Sequence, residues 1–339
     1  MIIIKKRSVV FVPSSINLWW NQGSGLGLVL GFQILTGVIL TMHFGQSFDA
    51  LIFYMRNTDF GSNLRFCHAN GASFFLFFMF LHLFRGIYYY GYNKTKLWIS
   101  GCIILLLGMG SAFLGYVLPY GQMSYWGATV IINLASIVPF VGPLLCIAIW
   151  GSYTVSTYTL KRFFTFHFLL PLILTVLVIG HTLLLHVTGS NGSVNMGVDK
   201  KYFIPLFVMK DMCTWTFYGI IGAILMLVLM NLLGDVENYL AANPLVTPLH
   251  IKPEWYFLFA YAILRCIPSK VVGVLALVLS VVFPILYAIF RKSGTNSSNM
   301  GVFILSFFIL TVTGGMPVED PYVLMSQITS VTYFMSYFI

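Results

Sequence analysis

Two apolar stretches decide the fold: HANGASFFLFFMFLH runs from His68 to His82, and HFLLPLILTVLVIGH runs from His167 to His181. Each stretch begins and ends with a histidine, and the two histidines are fourteen residues apart. Fourteen residues span roughly 21 Å of an α-helix and return nearly to the same side of it. Two such helices facing each other would form two His–His sites at two depths.

Ionisable residues inside a membrane span indicate function by default, and paired imidazole ligands are typical of a haem used for electron transfer. The alternative for each histidine is a hydrogen-bonded contact between helices. Four histidines in two equal spacings favour paired cofactors over that alternative.

The composition places the chain in a lipid membrane. Its 339 residues are 59% hydrophobic and only 8% charged, whereas soluble domains carry about 25% charged residues. The five cysteines show neither a CxxC spacing nor a CxxCH motif, so any haem would be bound non-covalently. We expect no removable signal peptide, because no small-residue cleavage pattern follows the basic residues near the N-terminus.

Eight apolar stretches of about twenty residues predict transmembrane helices. They lie at roughly 19–43, 66–86, 97–118, 163–187, 212–233, 271–290, 302–315 and 321–339. Residues 97–160 carry no charge, but proline and glycine at 115–121 and 139–143 interrupt them. Residues 122–160 are therefore predicted to form short interfacial helices and loops. The predicted fold class is an all-α polytopic membrane protein with eight transmembrane helices.

Eight spans place both termini on one side of the membrane, and the charges then divide unequally. The N-terminal side, the basic face, carries eleven of the 18 basic and two of the nine acidic residues; the neutral face carries seven of each. The basic face is cytoplasmic in a bacterium or on the matrix side in a mitochondrion. Because topology explains the whole net charge of +9, the charge does not indicate nucleic-acid binding.

The same topology pairs the histidines. The second and fourth spans both run from the neutral face toward the basic face. His68 is therefore predicted to share a level with His167 near the neutral face, and His82 with His181 near the basic face.

Glycines repeat the histidine spacing. Gly23 and Gly37 lie fourteen residues apart in the first span, as do Gly101 and Gly115 in the third. We expect the edge of a flat macrocycle to need backbone without Cβ atoms at both levels. Gly37 and Gly115 would provide it near the neutral face, and Gly23 and Gly101 near the basic face. Ordinary packing of small residues between helices is the alternative.

Two arginines lie where haem propionates would need a cation. Arg65 is three residues outside His68, and Arg85 is three residues outside His82. Snorkelling arginines at the ends of spans are the alternative.

Longer motifs carry a family resemblance. They are SSINLWWNQGS at 14–24, HANGASFF at 68–75, AFLGYVLPYGQMSYWGATVI at 112–131, NPLVTP at 243–248, PEWYF at 253–257 and YAILRCIP at 261–268. In content and order they resemble cytochrome b of respiratory complex III, the quinol–cytochrome c oxidoreductase, of the mitochondrial type. The motifs are spread over residues 14–268, and the resemblance covers most of residues 10–290.

The resemblance implies a di-haem four-helix bundle in residues 1–195 and four further spans, with the PEWY loop, in residues 196–339. It implies two non-covalent haem b groups with the four histidines as iron ligands. It also implies a proton-motive quinone cycle, in which quinol is oxidised near the neutral face and quinone is reduced near the basic face.

The same resemblance implies partners and a location. The partners are a Rieske-type iron–sulfur subunit, a cytochrome c-type subunit and other complex III subunits, assembled as a homodimer. The location is the mitochondrial inner membrane, with both termini on the matrix side.

For quinol oxidation, the resemblance points to Glu254 of PEWY, in an apolar loop before the sixth span. A carboxylate there could accept a quinol proton if its pKa suits that task; a surface loop acid is the alternative. Tyr261, Phe113 and Gly127 resemble lining residues of the same pocket, although core packing also accounts for Phe113.

For quinone reduction, His186 and Asp211 are the predicted proton donors. His186 follows His181 at the basic-face end of its helix, and Asp211 opens the next span beside Lys210. Ser190 and Asn17 resemble further polar contacts. A plain interfacial histidine is the alternative for His186.

Three positions depart from the family pattern. Tyr125 and Thr188 stand where histidine is common, and Ser269 stands where aspartate is usual. We expect these departures to affect proton routing and inhibitor sensitivity and not the four histidines.

Two other function classes compete with this interpretation. A ferric reductase or a dehydrogenase anchor would also carry two haems, but would need neither PEWY nor the late spans. A transporter with a histidine proton relay would carry no haem at all.

Overall fold

The computed structural model describes residues 10–192, 199–290 and 298–336, which are mainly helical. The helices are α1 (Gln22–Thr41), α2 (Phe48–Asn57), α3 (Gly61–Tyr88), α4 (Thr95–Val117), α5 (Gln122–Asn133), α6 (Gly142–Trp150), α7 (Thr157–Thr188), α8 (Leu206–Ala223), α9 (Trp255–Cys266), α10 (Lys270–Phe290), α11 (Ser298–Gly314) and α12 (Tyr322–Met335). Lys5, Lys6, Arg7, Arg291 and Lys292, which contribute to the predicted basic face, lie outside the described residues, as does the end of the eighth predicted span.

Five described helical segments are long and apolar enough to cross a membrane. They are Leu18–Thr41, Gly61–Tyr88, Thr95–Val117, Thr157–Thr188 and Leu206–Val228. These segments match the first five predicted spans. The last three predicted stretches correspond to α10, α11 and α12, and their crossing of the membrane stays a prediction.

Four of these helices form a bundle. Helix α1 packs against α3 and α7, and α4 packs against the same two helices. The facing surfaces are apolar, as a membrane interior requires, and the helical backbone satisfies its own polar groups. Between α4 and α7, the short helices α5 and α6 replace a continuous span, as the proline and glycine positions predict.

The C-terminal helices pack on this bundle. Helix α9 contacts α10, α11 and α12, while α10 also packs against α4. Helix α9 corrects one prediction, that PEWY lies in an apolar loop before the sixth span. The structure begins a helix at Trp255, inside that motif, with Glu254 at its N-cap position. A twelve-residue helix is too short to be found by a search for membrane spans.

A side chain from α3 supports the end of the fifth span. Helix α8 continues into a π-helical turn at Ile224–Val228. The Asn70 Nδ2 atom donates hydrogen bonds to the carbonyl oxygens of Leu225, at 3.3 Å, and Met230, at 2.9 Å. Such bonds matter here because an unpaired backbone group in lipid costs several kcal/mol.

Two short strands pair near the start of α1 and the start of α8. Strand β1 (Phe11–Pro13) pairs antiparallel with β2 (Lys200–Tyr202), with Val12 opposite Lys201. This pairing brings the segment before α1 next to the segment before α8.

Candidate functional site

The four histidines of α3 and α7 meet in two pairs. The ring centroids of His68 and His167 are 6.1 Å apart, and those of His82 and His181 are 6.4 Å apart. These are the pairs that the parallel direction of the second and fourth spans predicts. The structure thus brings the four histidines together in the predicted pairs, and their role as metal ligands stays a prediction.

Each separation fits one metal ion held between two imidazoles. Two nitrogen ligands at about 2.0 Å on opposite sides of an ion place the ring centroids about 6 Å apart. The rings of the two pairs are inclined at 87° and 63°, and edge-to-face ring pairs share this range of centroid distances. The fit to a metal ion therefore rests on the ring nitrogens and their surroundings as well as on the separation.

Three of the four Nδ1 atoms are engaged by neighbouring oxygens. His68 Nδ1 lies 2.9 Å from Thr36 Oγ1, and His181 Nδ1 lies 2.8 Å from Ser100 Oγ. His167 Nδ1 donates to the Ser111 carbonyl oxygen at 2.8 Å. A histidine that ligates a metal through one ring nitrogen normally binds such a partner through the other. In these three rings, Nε2 is the nitrogen left for a metal.

The four predicted glycines each face one of the histidines. A Cβ on Gly23 would lie 3.3 Å from His82 Cε1, and one on Gly101 would lie 3.1 Å from His181 Cε1. The corresponding distances are 3.0 Å from Gly37 to His68 and 2.5 Å from Gly115 to His167. Each glycine thus lies at its predicted level. The structure changes the reason, because the absent Cβ makes room for the imidazole ring itself.

Arg85 lies between the second histidine pair and the basic face. One of its guanidinium nitrogens is 3.2 Å from His82 Nδ1, and its Cζ lies 5.5 Å from the centre of the Trp20 ring. Its buried Nε has no acceptor among the described residues. A buried donor on a cation fits an anionic group such as a propionate, which agrees with the predicted role.

On the neutral face, Arg65 belongs to a cluster around Glu254. Burial raises the pKa of the Glu254 carboxyl to about 7, the Tyr116 hydroxyl and the Arg65 guanidinium lower it, and Asp235 raises it. Sequence reasoning did not find Tyr116 or Asp235. Tyr116 directly follows Gly115 in the motif AFLGYVLPYG, whereas Asp235 lies in a loop whose position only the fold determines.

Phe113 faces a cavity of about 470 Å³ between α4, α5, α6 and α7. Its ring also lies 6.5 Å from that of Phe257 on α9, three residues after Glu254. The cavity is mostly apolar and includes Ile131, Phe163 and Arg162 in its lining. Phe113 therefore lies between an open apolar space and the helix that Glu254 begins.

Tyr261 and Gly127 do not line this cavity. The Tyr261 hydroxyl donates to the Ile251 carbonyl oxygen at 3.1 Å, and the Arg265 guanidinium lies 5.3 Å from the Tyr261 ring centre. Tyr261 thereby ties α9 to the segment that precedes PEWY. A Cβ on Gly127 would meet no atom within 4 Å.

The main residues predicted for quinone reduction lie on α7 and α8, two helices that both contact α1. His186 is exposed near the end of α7, Asp211 lies beside Ser24 of α1, and Lys210 lies 5.1 Å from the Phe207 ring centre. The described residues show no hydrogen bond or ion pair between His186 and Asp211.

The segment that contains Ser190 is attached to the start of the first span. Trp20 Nε1 donates to the Asn191 carbonyl oxygen at 2.9 Å, and the Trp20 and Tyr89 ring centroids are 4.5 Å apart. Lys94 donates to the Gly189 carbonyl oxygen. Ser190 is thus held near the basic-face end of α3.

Asn17 has a local role in the structure. It is exposed, and its side chain accepts a hydrogen bond from the Trp19 backbone at 3.0 Å. Asn21, which sequence reasoning missed, is buried and donates to Thr214 Oγ1 of α8 at 2.9 Å. The motif SSINLWWN contains both residues, and only packing distinguishes them.

The three departures from the family pattern have ordinary local contacts. Tyr125 is buried beside Trp126, with ring centroids 5.2 Å apart. Thr188 donates to the Leu184 carbonyl oxygen at 3.0 Å. Ser269 accepts a bond from the Val272 backbone at 3.5 Å, at the start of α10. None of these contacts involves the four paired histidines.

Comparisons with known proteins agree with this architecture. The family model described as cytochrome b/b6/petB matches residues 7–189, which is more than half of the chain, and the model described as cytochrome b (C-terminal)/b6/petD matches residues 241–334. A solved chain described as "Hyperthermophilic respiratory Complex III" is 29% identical, with a TM-score of 0.89, over 96% of this chain and 91% of that one. The chain is therefore an all-α polytopic membrane protein that belongs to the cytochrome b/b6 family.

Proposed function

We propose that this chain is the haem b subunit of a proton-motive quinol–cytochrome c reductase and is active only within that complex. The observation that carries the proposal is the two histidine pairs, each with a centroid separation that fits one metal ion and a glycine against every ring. Two haem b groups, held by His68 with His167 and by His82 with His181, would supply one-electron transfer between the two faces.

At the neutral face, Glu254 is the proposed acceptor of a quinol proton. A general base works best when its pKa is near the operating pH, and burial raises the pKa of Glu254 to about 7. The nearby Tyr116 hydroxyl and Arg65 guanidinium favour the ionised form and can stabilise it between turnovers. The cavity beside Phe113 has a volume within the range of about 300–1,000 Å³ that is typical of small-ligand sites. Tyr261 and Gly127 stay proposed lining residues of the quinol pocket, although neither of them borders this cavity.

At the basic face, His186 and Asp211 are the proposed proton donors to a quinone. Both lie in segments that pack near the entry of α1, and Ser190, Lys210 and Asn17 or Asn21 supply further polar groups. In this proposal a bound quinone lies between His186 and Asp211 and receives a proton from each of them.

The proposed setting is the mitochondrial inner membrane, with the basic face on the matrix side and both termini there. The unequal distribution of charge over the predicted loops supports this orientation, and a bacterial cytoplasmic membrane is the other setting that it fits. Iron–sulfur and cytochrome c-type subunits in a dimeric complex III are the proposed partners, and the similarity to a solved chain of a respiratory complex III supports them.

The deciding experiment is a dithionite-minus-oxidised spectrum of the purified complex, together with a pyridine haemochrome measurement. We expect a b-type absorbance and two haem groups per copy of this chain. A folded chain with no b-type absorbance would refute the proposal and would favour a transporter.

The assignment of each haem to a level is tested with His82→Leu. This variant should lose the haem near the basic face, while quinol still reduces the haem near the neutral face. The matched control is His43→Leu, because His43 is exposed and belongs to neither pair, and it should retain both haems. Equal loss of both haem signals in an assembled His82→Leu complex would contradict independent sites.

A further inference from the structure

Two hydroxyl groups contact the histidine pairs in the same way. Thr36 Oγ1 lies 2.8 Å from the Phe32 carbonyl oxygen and 2.9 Å from His68 Nδ1. Ser100 Oγ lies 2.7 Å from the Leu97 carbonyl oxygen and 2.8 Å from His181 Nδ1. Thr36 is on α1 and Ser100 is on α4, so each histidine pair has one such hydroxyl.

These distances favour one assignment of the donated protons. A carbonyl oxygen carries no hydrogen, so a hydroxyl that bonds both the carbonyl of its own helix and Nδ1 donates its only proton to the carbonyl. The hydroxyl oxygen can then only accept from Nδ1. In this arrangement His68 and His181 are protonated on Nδ1, and the Nε2 lone pair of each ring is available to a metal. The contact of His167 with the Ser111 carbonyl leads to the same tautomer.

The two histidine pairs differ in the group that contacts Nδ1 of the second ring. Near the neutral face, both imidazoles donate to an oxygen acceptor, Thr36 or Ser111. Near the basic face, only His181 does so, because the group that contacts His82 Nδ1 is the Arg85 guanidinium. A guanidinium has no acceptor site, so it cannot take up a proton from that ring.

We propose that Thr36 and Ser100 are positioning residues that set the reduction potential of the haem at their own level. The proposal rests on the proposed haem binding. A hydrogen bond accepted from Nδ1–H makes the imidazole a more basic ligand, and hydrogen bonding around an axial ligand is one means by which a protein tunes haem potentials. A more basic ligand favours ferric over ferrous iron. Each hydroxyl therefore lowers the potential of its own haem.

The test is redox potentiometry of the full complex, with the two b-type signals resolved. Thr36→Val keeps the shape of the side chain and removes the hydroxyl. It should increase the equilibrium constant for reduction of the haem near the neutral face threefold to tenfold. A tenfold increase corresponds to a rise in its potential of about 59 mV for one electron. The other haem should be unchanged. Ser100→Ala should produce the opposite selectivity.

Two variants serve as controls. Thr36→Ser keeps the hydroxyl and should retain the original potential. Thr175 on α7 also donates to a carbonyl of its own helix, at 2.9 Å from Pro171, but contacts no histidine. Thr175→Val should therefore leave both potentials unchanged.

The outcomes separate this proposal from the proposed function. If the unmodified complex contains no haem b, the proposed function fails. If the unmodified complex contains two haem b groups, the proposed function stands. The present proposal alone then fails if Thr36→Val shifts neither haem potential or shifts both equally. Loss of one haem in Thr36→Val but not in Thr36→Ser would support the hydroxyl's role, since removing an outer partner commonly weakens metal binding by 10–100-fold. Equal behaviour of those two variants would overturn it.

Discussion

Replacing Gly115 by alanine is the most direct test of the histidine geometry. The added Cβ would lie 2.5 Å from His167 Cε1 and 3.0 Å from both ring nitrogens. Carbon atoms normally approach to about 3.5–4.0 Å, so the ring must retreat by about 1 Å. Such overpacking costs about 1–3 kcal/mol, which corresponds to about 5–150-fold in a binding constant.

The four glycines form a graded series. The clearance to Cε1 increases from 2.5 Å at Gly115 through 3.0 Å at Gly37 and 3.1 Å at Gly101 to 3.3 Å at Gly23. Alanine should therefore disturb haem binding most at Gly115 and least at Gly23. The first two substitutions should affect the haem near the neutral face, and the other two should affect the haem near the basic face.

The measurement is haem content per chain, combined with the midpoint potential of each b-type signal. Gly110→Ala is the matched control, because Gly110 lies on the same helix as Gly115 and a Cβ there meets no atom within 4 Å. Loss of haem in Gly110→Ala to the same extent as in Gly115→Ala would show that helix packing, not the imidazole contact, needs the glycine. An order of effects opposite to the order of clearances would refute the geometric reasoning.

Three further perturbations test other parts of the molecule. Glu254→Gln should slow quinol oxidation by about 100-fold or more with both haems retained; unchanged turnover would remove Glu254 from the mechanism. In the unmodified complex the pKa near 7 means that Glu254 gains its proton as the pH falls, so the rate should decrease below about pH 7. A pH profile that is flat there would contradict a Glu254 base. Asn70→Ala removes the side-chain donor to two carbonyl groups that follow α8. It should lower the free energy of unfolding of the complex by about 1–3 kcal/mol and its melting temperature with it. Asn57→Ala, at an exposed site, is its control, and equal melting temperatures would argue against the Asn70 bonds.

Much of the fold could be predicted because a membrane restricts the choice of structure. Apolar stretches of sufficient length must be helices, since lipid offers no partner for backbone groups. The helix bounds differ from the prediction where charges lie inside a helix, as Lys210 and Asp211 do in α8. Those residues suggest a boundary in the sequence, but the helix continues through them to Leu206.

The surroundings of the candidate quinone sites were harder to predict from the sequence. Asn17 and Asn21 are equally polar and four residues apart, and only the packing of α8 against the start of α1 buries one of them. Tyr116 and Asp235 act on Glu254 from segments more than a hundred residues apart. No local pattern indicates that such residues meet.

The sequence by itself determined the membrane class, the helical periodicity and, through the direction of the spans, which histidine pairs with which. These properties follow from composition, from a rise that is constant along a helix and from the alternation of sides. Only the tertiary structure decided what contacts Nδ1 of each ring, why glycine faces each histidine and what surrounds Glu254. Those answers depend on contacts of a few ångströms between different helices, and such contacts exist only once the helices have packed.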